Sequence, residues 1–530
     1  MKYPALSVVP EIKKDLFIFF SIAVIFYLVA ALYSTTFSNA DQHFQTLEFA
    51  DFKRTGTGEE ALPWEYHRKI RSWIQPYLYV VILDFADAVG ITNPINQDRL
   101  IRLITGAAAV TSLALFAVTM AWWLPLRGQR RLLIGMLALT WMFPWFFTRT
   151  SSEAWTSIFV LMALNTLFLL RRNPEPMSPT APTGRPFVGR MDFTYEGLAL
   201  SGICIALAFL FRYQTGPVFV VLGLWMLIAA RTSVLKMSFF TAIVALTVGL
   251  GVGLDFLGYG SFELVPLNNV KANVVDGIAS KFGVSPWHFY FTLPFTEPMG
   301  GVLIVVIVYY WIRFPLSLLT LMTAFFIVQH SFIPHKEIRF IFPLVPLVVV
   351  MVPFIFSKSW YGPEGRNVPL LSQAWPARIL GYGLLAVNAL GLWTETTRPV
   401  RPPIELHKLI LSQQPEHFEF YSLGFNPYRC RKDTFGDYHL RMEFYSPNTF
   451  KHHILSAPSD IGTIRTSGTF YFLSTQRTFP QTPDWDAARD QCTQIGEPIQ
   501  SGYCLRKKQS ERSPERAYSL YECKSAASAD

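Results

Sequence analysis

The stretch SFIPHKEIRFIFPL, Ser331–Leu344, places charged side chains in the middle of a long apolar run. Residues 314 to 357 are apolar enough to cross a membrane twice, yet Lys336, Glu337 and Arg339 interrupt them. A charge near the bilayer centre costs about 2.5–3.5 kcal/mol on insertion scales. These charges are therefore expected at the outer membrane surface, in ion pairs, or against a ligand.

The same turn holds a compact set of cations. His335, Lys336 and Arg339 supply up to three positive charges, and Glu337 is their internal partner. Pro334 breaks the incoming helix and favours a turn at this point. Such a cluster suits an anionic group held at membrane depth, such as a lipid phosphate. An interfacial turn closed by a Lys–Glu pair is the alternative interpretation.

The composition indicates a multipass membrane protein. Of the 530 residues, 51% are hydrophobic and only 16% are charged, whereas soluble globular chains carry about 25% charged residues. The net charge of +9 comes from short basic clusters between apolar runs, which is the pattern that sets membrane topology. No basic stripe or recognition module accompanies this charge, so nucleic-acid binding is not expected.

The apolar runs predict about eleven membrane-spanning helices. They lie near residues 16–34, 100–125, 131–148, 153–170, 196–211, 215–230, 237–257, 296–312, 314–330, 339–357 and 378–394. With the N-terminus in the cytosol, every cytosolic connection carries at least one Lys or Arg. The run at 73–91 contains Asp84 and Asp87, and a span there would invert every later loop. It is predicted to be an amphipathic helix on the membrane surface, within a first outer loop at residues 35–99.

These spans predict two domains, a transmembrane module at residues 1–394 and an outer C-terminal domain at residues 395–530. The tail alternates aromatic and polar residues in GTFYFLSTQRTF, 468–479, which predicts a small β or α/β domain. An even number of cysteines in an outer domain permits two disulfides, in any of three connectivities, and unpaired buried thiols are the alternative. The tail cysteines are Cys430, Cys492, Cys504 and Cys523.

A second polar segment, SNADQHFQTLEF at Ser38–Phe49, follows the first helix on the outer side. Asp41 and Glu48 are carboxylates at the predicted membrane surface. Transfer of a sugar needs a general base that takes the proton of the acceptor hydroxyl, and a carboxylate near a phosphate leaving group could do this. The alternative is an Asp that caps a helix N-terminus.

Two aromatic segments add candidate binding surfaces. LPWEYHRKIRSWIQPYLY, Leu62–Tyr79, combines basic with aromatic residues, Arg71 and Trp64 among them. This combination suits lipid headgroups or sugar rings, and an interfacial anchor explains it equally well. In KFGVSPWHFYF, Lys281–Phe291, the candidates for a sugar-binding wall are Trp287, His288 and Tyr290. The chain contains no GxGxxG, Walker, CxxC or HExxH motif, so neither nucleotide-driven chemistry nor a zinc site is predicted.

Together these motifs resemble one family. HKEIRF, 335–340, is similar to the HKExRF signature of the lipid-linked-sugar mannosyltransferases of the GT-C superfamily, which includes the GPI mannosyltransferases. DQHFQTLEFA resembles that family's DExxQxLE-type segment, LPWEYHRKIRSW its TWE…RS segment, and TRTSSE its RTxSNxxE turn. PLNNVKANV and FGVSPWHFY resemble its long lumenal loop. The resemblance covers about residues 15–360.

The resemblance implies an all-α polytopic membrane protein of GT-C type that acts as an inverting mannosyltransferase. The implied donor is dolichyl-phosphate mannose or another polyprenyl-phosphate sugar. The implied acceptor is a glycolipid, and the reaction adds the third, α-1,2-linked mannose of a GPI-anchor precursor. No cofactor, metal or nucleic acid is implied, and the partners are membrane lipids and the two lipid substrates. The implied location is the endoplasmic reticulum with a lumenal site, or a bacterial inner membrane with a periplasmic site.

The family's residue roles map onto this chain as follows. Asp41 is expected to be the base, while His335, Lys336 and Arg339 are expected to bind the donor phosphate, with Arg212 as a further phosphate contact. The residues expected to support them are Glu337, Gln45, Glu48, Arg71, Arg149 and Glu153.

Several alternatives share these features. The acceptor could be an N-glycan precursor that receives an α-1,2- or α-1,6-linked mannose, or the chain could be a bacterial polyprenyl-phosphate-sugar glycosyltransferase. A transporter of lipid-linked sugars would place the charged turn in its pathway, although transporters show internal repeats and none is visible here. A non-catalytic scaffold subunit is the remaining alternative.

Overall fold

The architecture comes from a computed structural model. It describes residues 9–33, 39, 41–59, 62–172, 187, 189–296, 299–355, 375–397, 408–409, 411–412, 418–423, 443–445, 450–464, 469–474, 478–500 and 517–524. Cys430 and Cys504 lie outside these residues.

Helices dominate the described chain. In chain order, α1 to α19 are Val9–Tyr33, Asp41–Phe44, Leu47–Thr55, Trp64–His67, Ile74–Ala88, Pro94–Ala121, Arg127–Leu139, Met142–Phe147, Ser152–Leu169, Tyr195–Phe211, Gly216–Ile228, Val234–Tyr259, Val265–Val270, Phe289–Thr292, Gly300–Arg313, Leu318–Phe332, Val345–Ile355, Trp375–Thr396 and Asp486–Gln491. The strands β1 to β7 are Arg171–Arg172, Asp192–Phe193, Phe418–Leu423, Phe450–Leu455, Thr469–Ser474, Cys492–Gln500 and Ala517–Lys524. Short 3-10 turns include Tyr213–Thr215, Ile338–Leu344 and Glu443–Tyr445.

The structure has a helix at each predicted membrane-spanning position. Five segments are long and apolar enough to span, and four shorter apolar helices accompany them among the described residues. The predicted span at 131–148 is divided into α7 and α8, because the chain leaves helical geometry at Thr140. The predicted surface helix is present as α5, and its position on the membrane stays a prediction. The polytopic helical architecture is confirmed.

The chain divides into two compact units. The helical unit contains Met1–Ser34, Arg68–Leu78 and Ile101–Arg398, and the loop–tail unit contains Thr35–His67, Tyr79–Leu100 and Pro399–Asp530. Much of the predicted first outer loop thus belongs to the same compact unit as the C-terminal tail. The predicted domain boundary near residue 394 stays a prediction.

The core of the helical unit lies around α9. Most side chains of this helix are buried on every side, which is typical of a central helix rather than an amphipathic one. Its polar Asn165 donates to the Ser112 carbonyl at 3.0 Å and accepts from the Thr119 hydroxyl at 2.9 Å. These bonds tie α9 to α6, since interhelical hydrogen bonds hold apolar helices in register. Ser151 caps the helix by accepting from the Ala154 N–H at 3.1 Å.

The tail forms a five-stranded sheet with the order β4-β3-β5-β7-β6. The first three strands are parallel, while β7 runs antiparallel to β5 and β6. Its hydrophobic core includes Phe470 and Phe472, both fully buried, which come from the aromatic stretch that predicted a strand. The predicted small sheet domain is therefore confirmed.

A disulfide joins the edge strand β6 of this sheet to its neighbour β7. Cys492 and Cys523 are directly opposite each other on β6 and β7, and their sulfurs are bonded. This pairing was one of the connectivities that the sequence left open. Cys204, inside α10, is a free thiol.

Candidate active site

The signature turn lies between two helices of the helical unit. α16 ends at Phe332, just before Pro334, and the chain re-enters helical geometry with the 3-10 turn Ile338–Leu344. Residues 333–337 between them have no regular structure. Since Pro334 blocks the helix, the charged side chains lie at helix ends rather than along a span. The predicted turn is confirmed.

Arg339 and Glu337 form a two-point ion pair. The Arg339 Nε donates to Glu337 Oε2 at 2.8 Å and its Nη2 donates to Oε1 at 3.1 Å. The His335 Nε2 lies 3.1 Å from the same Oε1. Burial by itself would raise the pKa of Glu337, but the bonds from His335 and Arg339 outweigh it and lower the pKa to about 2. The hydrogen bond to Glu337 raises the pKa of His335.

Glu153 joins Arg339 to a second arginine. The Glu153 Oε1 accepts from Arg212 Nη1 at 2.8 Å and from Arg339 Nη1 at 3.3 Å. Glu153 lies in the first turn of α9, where the helix dipole favours a carboxylate. Arg212 follows the last residue of α10, in extended backbone before the next 3-10 turn. Three segments far apart in sequence therefore meet at one carboxylate oxygen.

We name Glu153, Arg212, Glu337 and Arg339 the arginine cluster. The Cζ atoms of Arg212 and Arg339 lie 4.9 and 5.2 Å from the ring centroid of Phe340, within the range of cation–π attraction. Glu153 and Arg212 are 3% and 6% exposed. Buried guanidinium groups need paired oxygens, and these contacts hold the guanidinium groups of Arg212 and Arg339 in place.

Lys336 is attached to the backbone of the neighbouring loop. Its Nζ donates to the carbonyls of Ser285 at 2.8 Å and Ile333 at 2.6 Å. Burial lowers its pKa. Carbonyl dipoles do not neutralise an ammonium charge, so Lys336 contributes positive potential while it holds the turn to the loop. Direct binding of a phosphate by Lys336 or His335 stays a prediction.

A buried histidine for which no role was predicted borders the arginine cluster. His330, 1% exposed, lies in the last turn of α16, with its Nδ1 2.9 Å from the Phe326 carbonyl. Its ring contacts Tyr290 edge-on at 6.3 Å between centroids. The sequence did contain one indication of His330, because a polar side chain stands one helical turn before Pro334, which ends the helix.

The predicted sugar-binding wall is divided. Tyr290 is fully buried beside the cluster, and burial raises its pKa. Trp287 is 69% exposed, and His288, also exposed, contacts it edge-on. Trp64 belongs to the loop–tail unit. The structure therefore brings only Tyr290 to the cluster within the helical unit.

Arg71 and Arg149 also belong to the helical unit. Arg149 is 1% exposed, with its guanidinium 5.3 Å from the ring centroid of Trp145. The Arg71 carbonyl accepts from the Tyr259 hydroxyl at 2.7 Å. The supporting roles of both arginines stay predictions.

The segment that follows Arg71 packs on the C-terminal end of α12. Asp255, fully buried, accepts from the Trp73 N–H at 2.7 Å and the Ser72 hydroxyl at 2.9 Å. A Cβ on Gly258 would lie 2.1 Å from the Trp73 ring. Only glycine therefore permits this close approach. No local pattern in the sequence marks this contact, because it joins positions about 180 residues apart.

Asp41 lies in the loop–tail unit, as the first residue of the four-residue helix α2. Its N–H donates to the Asn39 side-chain oxygen at 2.8 Å. Asp41 is half-buried, whereas the other three α2 residues, Gln42, His43 and Phe44, are buried. The three buried side chains hold α2 in place, and Asp41 lies at the edge of this buried surface.

The two polar residues expected to support Asp41 are buried in the same unit. Gln45 donates to Glu65 Oε1 at 2.7 Å. Glu48, 3% exposed, has its Oε1 2.5 Å from the His43 Nε2. Both side chains therefore fasten the segment that carries Asp41.

Chemically, the helical unit presents fixed guanidinium groups and the loop–tail unit presents a half-buried carboxylate. Fixed guanidinium donors stabilise the negative charge that develops on a leaving phosphate. A half-buried carboxylate can accept a proton from a hydroxyl.

Comparison with known proteins identifies the relatives of this chain. The model of the Alg9-like mannosyltransferase family matches residues 18–410. GPI mannosyltransferase 3 of Drosophila melanogaster is 25% identical over 382 residues, which is 70% of this chain and 60% of that protein. Mannosyltransferase APTG1 of Arabidopsis thaliana is 26% identical over 359 residues, 64% of this chain and 58% of that protein. The chain thus spans about 60% of the length of these curated relatives.

A shorter match and one solved structure extend the comparison. GPI alpha-1,2-mannosyltransferase 3 of Xenopus laevis is 30% identical over 196 residues, 34% of each chain. ArnT from Cupriavidus metallidurans, crystallised with undecaprenyl phosphate, matches with a TM-score of 0.50 at 10% identity and covers 95% of this chain and 97% of its own. This likeness shows the GT-C type of fold.

Proposed function

Because the chain belongs to the Alg9-like mannosyltransferase family, we propose that it transfers mannose from a polyprenyl-phosphate donor to a glycolipid. The donor is dolichyl-phosphate mannose, and the product carries the third mannose of a GPI precursor in α-1,2 linkage. Relatives named GPI mannosyltransferase 3 and GPI alpha-1,2-mannosyltransferase 3 support this choice of acceptor. The location proposed is the endoplasmic reticulum membrane, with the site on the lumenal side.

The observation that carries the proposal is the carboxylate shared by two arginines. Glu153 holds Arg212 and Arg339 in fixed positions, and Phe340 packs against both. Lys336 lies in the same turn as Glu337 and Arg339, with its ammonium group on backbone carbonyls. Fixed guanidinium groups suit a phosphodiester, because they bind its oxygens in two-point hydrogen bonds.

The proposed reaction is a single displacement at the anomeric carbon. The acceptor hydroxyl attacks from the face opposite the phosphate, and Asp41 takes its proton as the new C–O bond forms. The bond between the anomeric carbon and the phosphate oxygen breaks, and its electron pair leaves with the polyprenyl phosphate. Arg212 and Arg339 stabilise that leaving oxygen and its neighbours. A β-linked donor thereby yields an α-mannoside.

The test is a reconstitution with the full-length protein in lipid nanodiscs. Purified protein is given dolichyl-phosphate mannose and, in separate reactions, a GPI precursor that carries two mannoses or an N-glycan precursor, and the products are read by mass spectrometry. We expect a three-mannose product that an α-1,2-specific mannosidase trims. Transfer only to an N-glycan precursor would indicate that the protein acts in N-glycan synthesis instead. Transfer to neither acceptor would refute the proposed reaction.

A further inference from the structure

The C-terminal tail reaches the segment that carries Asp41. The 3-10 turn Glu443–Tyr445 packs on α2 and α3, all within the loop–tail unit. The Tyr445 ring stacks on the His43 ring with 5.3 Å between centroids and 10° between planes. Phe444 contacts the same imidazole edge-on at 6.4 Å. Both tail rings are buried, Phe444 at 5% and Tyr445 at 1% exposure.

A hydrogen bond joins the same two segments. The Phe444 N–H donates to Glu48 Oε1 at 3.4 Å, and this oxygen also lies 2.5 Å from the His43 Nε2. One carboxylate oxygen of the first loop therefore contacts a group from the loop and a group from the tail. The two positions, 48 and 444, are 396 residues apart. Periodicity and local motifs carry no information on such a contact.

These contacts matter because α2 cannot hold its own shape. It has four residues, and a single turn is unfavourable without tertiary packing. The His43 and Glu48 side chains are 1% and 3% exposed, and buried polar groups are costly unless they are bonded and kept dry. The stacked Tyr445 ring covers the His43 side chain, and the Phe444 N–H donates the hydrogen bond to Glu48.

We propose that the Glu443–Tyr445 turn is a positioning element that holds α2 in the geometry needed for transfer. Tyr445 acts through His43 and Glu48 on the neighbouring Asp41, and it does not itself touch substrate. The match to the family model ends at residue 410. The turn proposed to support the predicted base, Asp41, therefore lies outside the matched region. The inference rests on the proposed role of Asp41.

The experiment compares full-length variants in nanodiscs by kinetics and by hydrogen exchange. For Tyr445→Ala we expect kcat to fall about 10- to 100-fold, as a misplacement near 1 Å does. The KM for dolichyl-phosphate mannose should stay within about twofold, because the predicted phosphate site lies in the helical unit. Amide exchange in residues 41–55 should become faster. Tyr445→Phe keeps the stacked ring and should retain most of the activity.

A matched control separates positioning from loss of stability. Phe472 is fully buried in the core of the tail sheet and contacts Phe479 and Trp485, so Phe472→Leu destabilises the tail without touching α2. If Phe472→Leu lowers kcat as much as Tyr445→Ala does, the positioning role is refuted. Unchanged kcat in Tyr445→Ala also refutes it.

The two proposals fail in different ways. If the wild-type protein transfers no mannose, the proposed function fails, while the exchange measurement still reports whether Tyr445 holds residues 41–55. If the wild type transfers mannose and Tyr445→Ala shows normal exchange and normal kcat, only the positioning inference fails.

Discussion

In the arginine cluster, Glu153 and Glu337 fix the guanidinium groups of Arg212 and Arg339 through direct ion pairs. At the α2 turn, by contrast, the packing of buried neighbours holds the backbone around the half-buried Asp41. This difference matches what phosphate binding and proton transfer each require. A phosphate site needs charges that are in place before the reaction, whereas a base needs a carboxylate that can exchange a proton.

The largest effect is expected when the carboxylate of Asp41, at the α2 turn, is removed. We expect Asp41→Asn to lower kcat about 100- to 10,000-fold, since the amide keeps the shape but cannot accept the proton. The measurement is product formation in the nanodisc assay, with folding checked by thermal melting. Asp51→Asn, a change of the same chemistry on α3, is the control and should keep its activity. A normal rate in Asp41→Asn would remove Asp41 as the base.

The second test removes a fixed charge from the cluster. We expect Arg339→Ala to lower kcat/KM about 100- to 1,000-fold, because one preorganised donor to the leaving phosphate is lost. Arg339→Lys should recover only part of this, since an ammonium cannot bond to Glu337 and Glu153 in the same fork geometry. Arg313→Ala, at the exposed end of α15, is the matched control. Equal losses in the two alanine variants would indicate a general effect of charge rather than a site.

The third test measures how much the helical unit depends on close packing. We expect Gly258→Ala to lower the free energy of unfolding by about 1–3 kcal/mol, because the added Cβ collides with the Trp73 ring. The measurement is thermal or denaturant unfolding in detergent. In Gly253→Ala, on the same helix, the added Cβ meets nothing within 4 Å, so stability should be unchanged or slightly higher. Equal effects of the two variants would contradict the collision.

The smallest expected effect concerns pH. Because Glu337 raises the pKa of His335, the stabilisation from this pair is complete below the unfolded-state value of about 6.5. It is lost as the pH rises through the raised pKa of the folded protein. Glu337, with a pKa of about 2, stays ionised over this range. His335→Gln should therefore be less stable than wild type by about 0.2–1 kcal/mol near pH 5.5, with no difference near pH 9. A difference that grows with pH would contradict the pairing.

The sequence predicted best what is local or periodic. Hydropathy located the long apolar helices, and Pro334 predicted the turn that carries Arg339. The arginine cluster could be anticipated in part, since Arg212 and Glu153 stand in short polar motifs at predicted helix ends. Family resemblance, rather than periodicity, connected them to a phosphate.

The contacts that the sequence did not reveal are tertiary ones. The bond between Phe444 and Glu48 joins the two ends of the chain, and no local pattern marks it. One carbonyl partner of Lys336 comes from the Ser285 loop and another from Ile333, so a cation predicted to bind a ligand is bonded to the backbone. The exposure of Trp287 likewise depends on a loop path that aromatic composition does not determine.

The fixed guanidinium groups of the arginine cluster have a consequence for turnover. In the proposed reaction the donor enters as a phosphodiester with one negative charge, and the product leaves as a phosphate monoester that carries about 1.5–2 negative charges at pH 7. Arg212 and Arg339, held in place by Glu153, therefore attract the spent lipid more strongly than the fresh one. Polyprenyl phosphate is expected to be a product inhibitor competitive with the donor, and its departure is expected to limit the steady-state rate.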